Sequence, residues 1–128
     1  IAEGTELKQP TIEFSYKNDT LGDPLINSSI AVSLSLATSD EIAAVKEYSK
    51  KINSVLQTYL ASIQIQLIDF KLEFGRFHNT IILADEISPD TCRLWDMTTG
   101  DHLDKDRFRR DLGNIEDAYH EVYRRMKL

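Results

Sequence analysis

Apolar and polar residues alternate across Thr11–Lys17 (TIEFSYK), with Ile12, Phe14 and Tyr16 on one face, which predicts a strand. The next stretch, KNDTLGDPLIN, is rich in Asn, Asp, Gly and Pro and reads as a loop. Thr38-Ser39-Asp40-Glu41 has the spacing of a capping box, Thr38 as N-cap and Glu41 reaching back. Behind it Ile42, Val45, Ile52, Val55, Leu56, Tyr59, Leu60 and Ile63 recur at helical spacing, predicting a long amphipathic helix that ends near Ser62. LIDFKLEFGRFHNTIILADE, Leu67 to Glu86, reads as a hairpin turning at His78-Asn79-Thr80, with Ile81 to Ile87 as its second strand. Ser88-Pro89-Asp90 breaks that strand, Thr91 to Trp95 adds a short extended piece, and Thr99-Gly100 is a turn. Asp104 to Leu112 (DKDRFRRDL) reads as a short charged helix stopped by Gly113. Asn114 then caps a last helix whose buried stripe is Ile115, Ala118, Tyr119, Val122 and Met126. Strands and helices without regular alternation predict an α+β fold, with an antiparallel hairpin or sheet packed against the long helix and the C-terminal helices.

The 128 residues suffice for one domain with a real core, and no repeat or low-complexity segment divides them. No apolar run in these residues approaches the roughly 20 residues of a membrane span, and no signal peptide is expected before the first strand. A single cysteine, Cys92, excludes an internal disulfide framework and fits a reducing compartment, so a cytoplasmic location is expected. That cysteine and three scattered histidines are poor material for zinc. The net charge of −6 is unevenly placed, with 14 acidic and 8 basic residues in 1–100 but 7 of each in 101–128. An acidic body argues against a nucleic acid polymer as partner and leaves room for a small anion held by a few placed cations.

The chemistry concentrates on the hairpin. Asp69, Lys71 and Glu73 alternate with Ile68, Phe70, Leu72 and Phe74, so the charged side chains share one face. With a three-residue loop, Phe77 faces Ile81, Gly75 faces Leu83 and Glu73 faces Asp85, which sets two carboxylates side by side at about 4.5–5.5 Å between Cβ atoms. Like charges so placed repel, and a divalent cation between them reverses the sign. Two carboxylates completed by phosphate and water suit magnesium. A two- or four-residue loop puts Asp85 on the other face and removes this argument. The plainer alternative is a wet sheet face whose charges pair along the strand. Gly75 favours the site, since it clears a side chain beside it. Lys17 and Asp23 in KNDTLGDP, and Arg93 after the SPD break, are further candidates at loops bordering the sheet, Arg93 offering a planar donor fork for phosphate. Asp104, Lys105, Arg107 and Arg109 read as a solvated mixed-charge face, Trp95 and Cys92 as packing, and His78 as a turn residue.

These strings resemble a known family. LIDFKLEFG (Leu67–Gly75) is similar to the second signature of the SAICAR synthetases, the phosphoribosylaminoimidazole-succinocarboxamide synthases of purine biosynthesis. EGTELKQPTIEFSYKNDTLGDPLIN, LADEISPDTCRLWD and LDKDRFRRDLG agree in order and spacing, so the resemblance covers essentially the whole chain. It implies a ligase that uses ATP and Mg2+ to join L-aspartate to the carboxylate of carboxyaminoimidazole ribonucleotide (CAIR), releasing ADP and phosphate, through an acyl phosphate. By position it implies that Glu73 and Asp85 hold the nucleotide-bound magnesium. It places Lys71 and Asp69 against the imidazole substrate and its reacting carboxylate, with Lys17 and Asp23 lining the same pocket. Arg93 falls to the ribonucleotide phosphate, and Lys105 and Arg109 to further anionic contacts.

The resemblance covers the C-terminal half of the family's length. It therefore implies that residues 1–128 are the C-terminal catalytic portion, with the first signature and the N-terminal nucleotide-binding lobe upstream of Ile1. On that reading the chain is incomplete for turnover and exposes an apolar edge that favours self-association, and the full-length form is a homo-oligomer. Two other readings compete: a non-catalytic domain whose wet sheet face binds anions or a partner, and a generic magnesium–nucleotide phosphotransferase.

Overall fold

The computed structural model of the chain describes residues 1–127. The chain is α+β and divides into two compact units, Ile1–Lys50 and Lys51 onward.

In the first unit, β1 (Phe14–Ser15) pairs antiparallel with β2 (Leu25–Ile26). The strand expected over Thr11–Lys17 is therefore two residues long. The loop after it has its own order, a single 3-10 turn over Asp19–Leu21 capped by the Asn18 side chain, which accepts the Leu21 N–H at 3.1 Å. The short helix α1 (Ser28–Ser33) was not foreseen. Asn27 caps it by accepting the Ile30 N–H at 2.9 Å. Helix α2 (Ser39–Ser62) starts on the expected capping box: Glu41 N–H donates to Thr38 Oγ1 at 3.1 Å, and Thr38 N–H donates to Glu41 Oε2 at 2.9 Å.

The second unit corrects the expected hairpin. LIDFKLEFGRF is two strands, β3 (Ile65–Phe70) and β4 (Glu73–Phe77), broken at Lys71-Leu72. Strand β3 pairs antiparallel with β6 (Cys92–Asp96), whereas β4 pairs with β5 (Thr80–Ala84). The β4–β5 loop has two residues, not three, because His78 (φ 47°) and Asn79 (φ 62°) are both left-handed, the backbone of a tight hairpin turn. Phe77 thus faces Thr80 and Glu73 faces Ala84. The hairpin is also less buried than its hydrophobicity implies, with Phe77, Ile82 and Leu83 all exposed.

The core lies between β3–β6 and the helices around it. Leu60 from α2, Ile65, Cys92, Leu94, Leu103, and Ala118 and Val122 from α4 (Ile115–Met126) form one buried cluster, with Tyr119 and Met126 packed on it. Four of the five residues of the stripe expected on the last helix, all but Ile115, therefore belong to or pack on the core. Asn114 precedes that helix in the left-handed region (φ 54°) and makes no side-chain cap, so it is a turn residue rather than the expected cap. The helix expected over Asp104–Leu112 shrinks to α3 (Asp106–Arg109). Two of the three acidic residues of that segment are not solvated: Asp104 is 0% and Asp106 2% exposed, while Asp111 is exposed.

Arg125 fastens α4 to the sheet, meeting the Asp96 carboxylate through Nη2, Gln64 O through Nη1 at 3.0 Å and Glu121 Oε1 through Nε at 2.6 Å. The backbone N–H of Thr99 and then the Arg125 guanidinium pull the Asp96 carboxyl down to about 2, and Arg124 and Arg125 do the same for Glu121. Both folded values lie below the unfolded ones, so this stabilisation is complete above about pH 4.5 and is lost as pH falls toward 2. Thermal unfolding followed from pH 5 to 2 is expected to show a falling Tm, and Asp96→Asn is expected to flatten that slope.

Candidate active site

Asp69, Lys71, Glu73, Asp85 and Arg93 gather where β3 ends. A register shift between Leu67 and Asp69 brings Asp69 opposite Arg93, whose Nη1 donates to Asp69 Oδ2 at 2.7 Å. Two residues on, past the end of β3, the Lys71 ammonium lies 2.9 Å from Glu73 Oε1 and 3.6 Å from Asp85 Oδ2. Two carboxylates thus share one cation. The hydrogen bond to Glu73 is the main reason the Lys71 pKa is raised, so the side chain is charged at neutral pH.

The expected facing of Glu73 and Asp85 is not how this happens. With a two-residue turn, a regular ladder would send Asp85 to the far face. Strand β5 instead stops at Ala84, and Asp85 takes a left-handed backbone (φ 64°). That conformation is unusual outside glycine and turns the carboxylate back toward Lys71. Opposing carboxylates within reach of one nitrogen, half-exposed and made only of oxygen donors, fit a hard divalent cation completed by phosphate and water.

Beside this lies a second cluster that sequence reasoning missed. The Asp106 carboxylate is met by Arg93 Nε at 3.0 Å, Arg109 Nη1 at 3.0 Å, Arg110 Nε at 3.8 Å and His102 Nδ1 at 4.0 Å. Asp104 supports it from below, Oδ1 accepting the Asp106 N–H and Oδ2 the Leu94 N–H, each at 2.7 Å. Burial raises the Asp104 pKa. The Ser88–Thr91 loop is docked on the same segment: Lys105 N–H donates to Pro89 O at 2.9 Å, Arg109 Nη2 to Asp90 O at 3.3 Å, and Tyr119 Oη meets the Asp90 carboxylate. The available signal was Leu103 followed by D-x-D at a helix start, where carboxylates accept backbone N–H groups.

His102, Asp104 and Asp106 form the one group of three possible metal ligands gathered this closely among the described residues. The oxygens of Asp104 already accept backbone N–H bonds, and arginines surround Asp106, so the group's chemistry is that of a carboxylate under guanidiniums and not of a cation site.

Of the residues expected in a site, Asp69, Lys71, Glu73, Asp85, Arg93 and Arg109 are brought together here. Lys105 contributes its backbone, at the N-cap position of α3. Lys17 and Asp23 belong to the first unit. There Asp23 Oδ1 accepts the Asn18 N–H at 2.7 Å and closes the loop around the 3-10 turn.

The SAICAR synthetase family profile matches residues 1–126. The chain belongs to the SAICAR synthetase family. It is 64% identical over 126 residues to the phosphoribosylaminoimidazole-succinocarboxamide synthase of Lachnoclostridium phytofermentans, covering 98% of this chain and 54% of that protein. Among solved structures it is similar to a SAICAR synthetase in complex with ADP (TM-score 0.92, 52% identity, 98% of this chain, 54% of that one). It is equally similar to SAICAR synthetase from Pyrococcus horikoshii (TM-score 0.93, 50% identity, 99% of this chain, 56% of that one). The chain thus spans about half the length of the relatives it matches, and family membership accounts for its α+β fold. Among the described residues no helix is long and apolar enough to cross a membrane.

Proposed function

We propose that the chain carries the phosphate- and carboxylate-handling part of a ligase that joins L-aspartate to the carboxylate of CAIR at the expense of ATP. The observation behind this is the single ammonium of Lys71 shared by Glu73 and Asp85 next to an arginine cluster. A carboxylate resists attack by an amine because its negative charge repels the nucleophile. Its oxygen attacks the γ-phosphorus and ADP leaves. The neutral aspartate amine then attacks the acyl carbon, phosphate leaves, and the nitrogen gives up one proton to solvent and keeps the other in the amide. Positioning and charge neutralisation are what the protein supplies.

Glu73 and Asp85 would hold Mg2+, which neutralises nucleotide phosphate charge when bound. Lys71, at 61% side-chain exposure, is open to a substrate carboxylate taking the place of these two. Asp69 orients Arg93, and Arg93 with Arg109 and Lys105 receives the ribonucleotide phosphate. Lys17 and Asp23 serve the imidazole pocket on this reading. The relative with ADP bound supports nucleotide use. Buried Cys92 as the lone thiol is consistent with a cytoplasmic enzyme, and the full-length form is taken to be a homo-oligomer.

Phosphate release with ATP, Mg2+, aspartate and CAIR tests this, for a protein of the relatives' full length carrying this sequence and for this chain alone. Aspartate-dependent release by the full-length protein, with little or none from this chain, is expected. Release that ignores aspartate would indicate a phosphotransferase, and none at all a binding domain.

A further inference from the structure

Three half-exposed arginines converge on one carboxylate that is almost out of water. Arg93, Arg109 and Arg110 have side-chain exposures of 43%, 45% and 43%, whereas the Asp106 side chain is 3% exposed. Long cationic side chains at a surface ordinarily sample many rotamers, and fixing each one has an entropic cost. Here that cost is met within the fold, because Asp106 Oδ1 accepts a hydrogen bond from Arg109 Nη1, Oδ2 lies within ion-pair distance of Arg93 Nε and Arg110 Nε, and the Asp106 N–H is held by Asp104. Asp104 is in turn tied to Leu94, in the middle of β6. The guanidiniums are thereby referred to the rigid sheet and not to the loop that carries them.

The charges leave a surplus. Arg93, Arg109, Arg110 and Lys105 bring four cations against the three carboxylates of Asp69, Asp104 and Asp106. Arg93 illustrates the division: Nε faces Asp106 and Nη1 faces Asp69.

We propose that Asp106 is the positioning residue of an oxyanion-binding cluster, presenting Arg93, Arg109 and Arg110 as one preorganised face for a phosphate monoester. This rests on the ligase reading above and deepens it, because it assigns the selectivity for a phosphorylated over an unphosphorylated riboside to a residue that touches neither. Asp106 acts through the arginines. Without its charge they separate and repel one another, and phosphate binding must then order them itself.

The test compares CAIR with its dephosphorylated riboside as substrates of the full-length protein, for wild type and Asp106→Asn. The wild type is expected to prefer the phosphorylated substrate in kcat/KM. In the variant that preference is expected to shrink about 10- to 100-fold, as loss of one or two charge-assisted contacts implies. The KM values for ATP and aspartate should stay within about twofold, and Asp106→Glu should restore part of the preference. Equal loss on both substrates, or an unchanged preference, overturns the proposal and leaves Asp106 a structural residue. If the variant does not melt cooperatively, the wild type decides by NMR. The Arg93 Nε–H resonance should then exchange slowly with water and shift when inorganic phosphate is added. A fast-exchanging, phosphate-insensitive resonance overturns the proposal. A wild type that turns over neither substrate counts against the ligase reading alone, since the phosphate titration is read without turnover.

Discussion

Glu73→Gln in the full-length protein is expected to lower kcat/KM for the ligase reaction by on the order of 10³, about 4 kcal/mol of transition-state stabilisation. The amide keeps the shape of the side chain and the half-buried position at the start of β4 while removing its charge. Lys71 is then left with Asp85 at 3.6 Å as its remaining carboxylate of this pair, and on the proposed function a bound divalent cation would lose one of its two anionic ligands. Initial rates across a Mg2+ titration separate the two effects. A shift of the midpoint to higher Mg2+ with partial recovery of rate assigns Glu73 to the ion, while a depressed rate at every Mg2+ concentration assigns it to holding Lys71. An undiminished rate would return Glu73 to a solvated strand face, the alternative its spacing always allowed.

Ile65→Ala is expected to destabilise the fold by about 3–4 kcal/mol, the usual cost of emptying a fully buried aliphatic position. Ile65 is 0% exposed and belongs to the cluster with Leu60, Leu94, Leu103, Ala118 and Val122, so few neighbours can move in to fill the space. For a chain of this size the fall in Tm is about 10–15 °C. The second helix offers an internal control, since Val55 is 67% exposed and Val55→Ala should change stability by no more than about 0.5 kcal/mol. Both are read by thermal or denaturant unfolding. Because β3 begins at Ile65 and leads to Asp69 and Lys71, activity of the variant should fall faster with temperature than stability alone accounts for. Equal melting of the two variants would contradict the assignment of the core to the β3–β6 layer.

What could be read without coordinates was local. The capping box at Thr38 and Glu41 and the end of α2 near Ser62 depend on contacts within four residues, and the stripe on α4 depends on a period of 3.6. The grouping of Asp69, Lys71 and Glu73 was likewise visible as alternation. Whether alternating residues belong to one strand or two was not, because Lys71-Leu72 carries no glycine or proline to mark the break.

Only the tertiary structure decided which strands pair, because cross-strand hydrogen bonds are indifferent to side-chain identity and choose partners by what they bury together. Thus β3 leaves its neighbour in sequence for β6, setting Arg93 against Asp69 across 24 residues. The same holds for the two carboxylates on Lys71: a two-residue turn alone would have parted them, and the left-handed backbone at Asp85 reunites them. Asp106 is the clearest case. In the sequence it is one charge among seven in DKDRFRRD, normally a solvated run, and it becomes the centre of an arginine cluster only because folding removes it from water. Sequence by itself determined the family, the two long helices and most of the residues available for chemistry. Burial, which is a property of the assembled layers and not of any one segment, determined which of those charges act together.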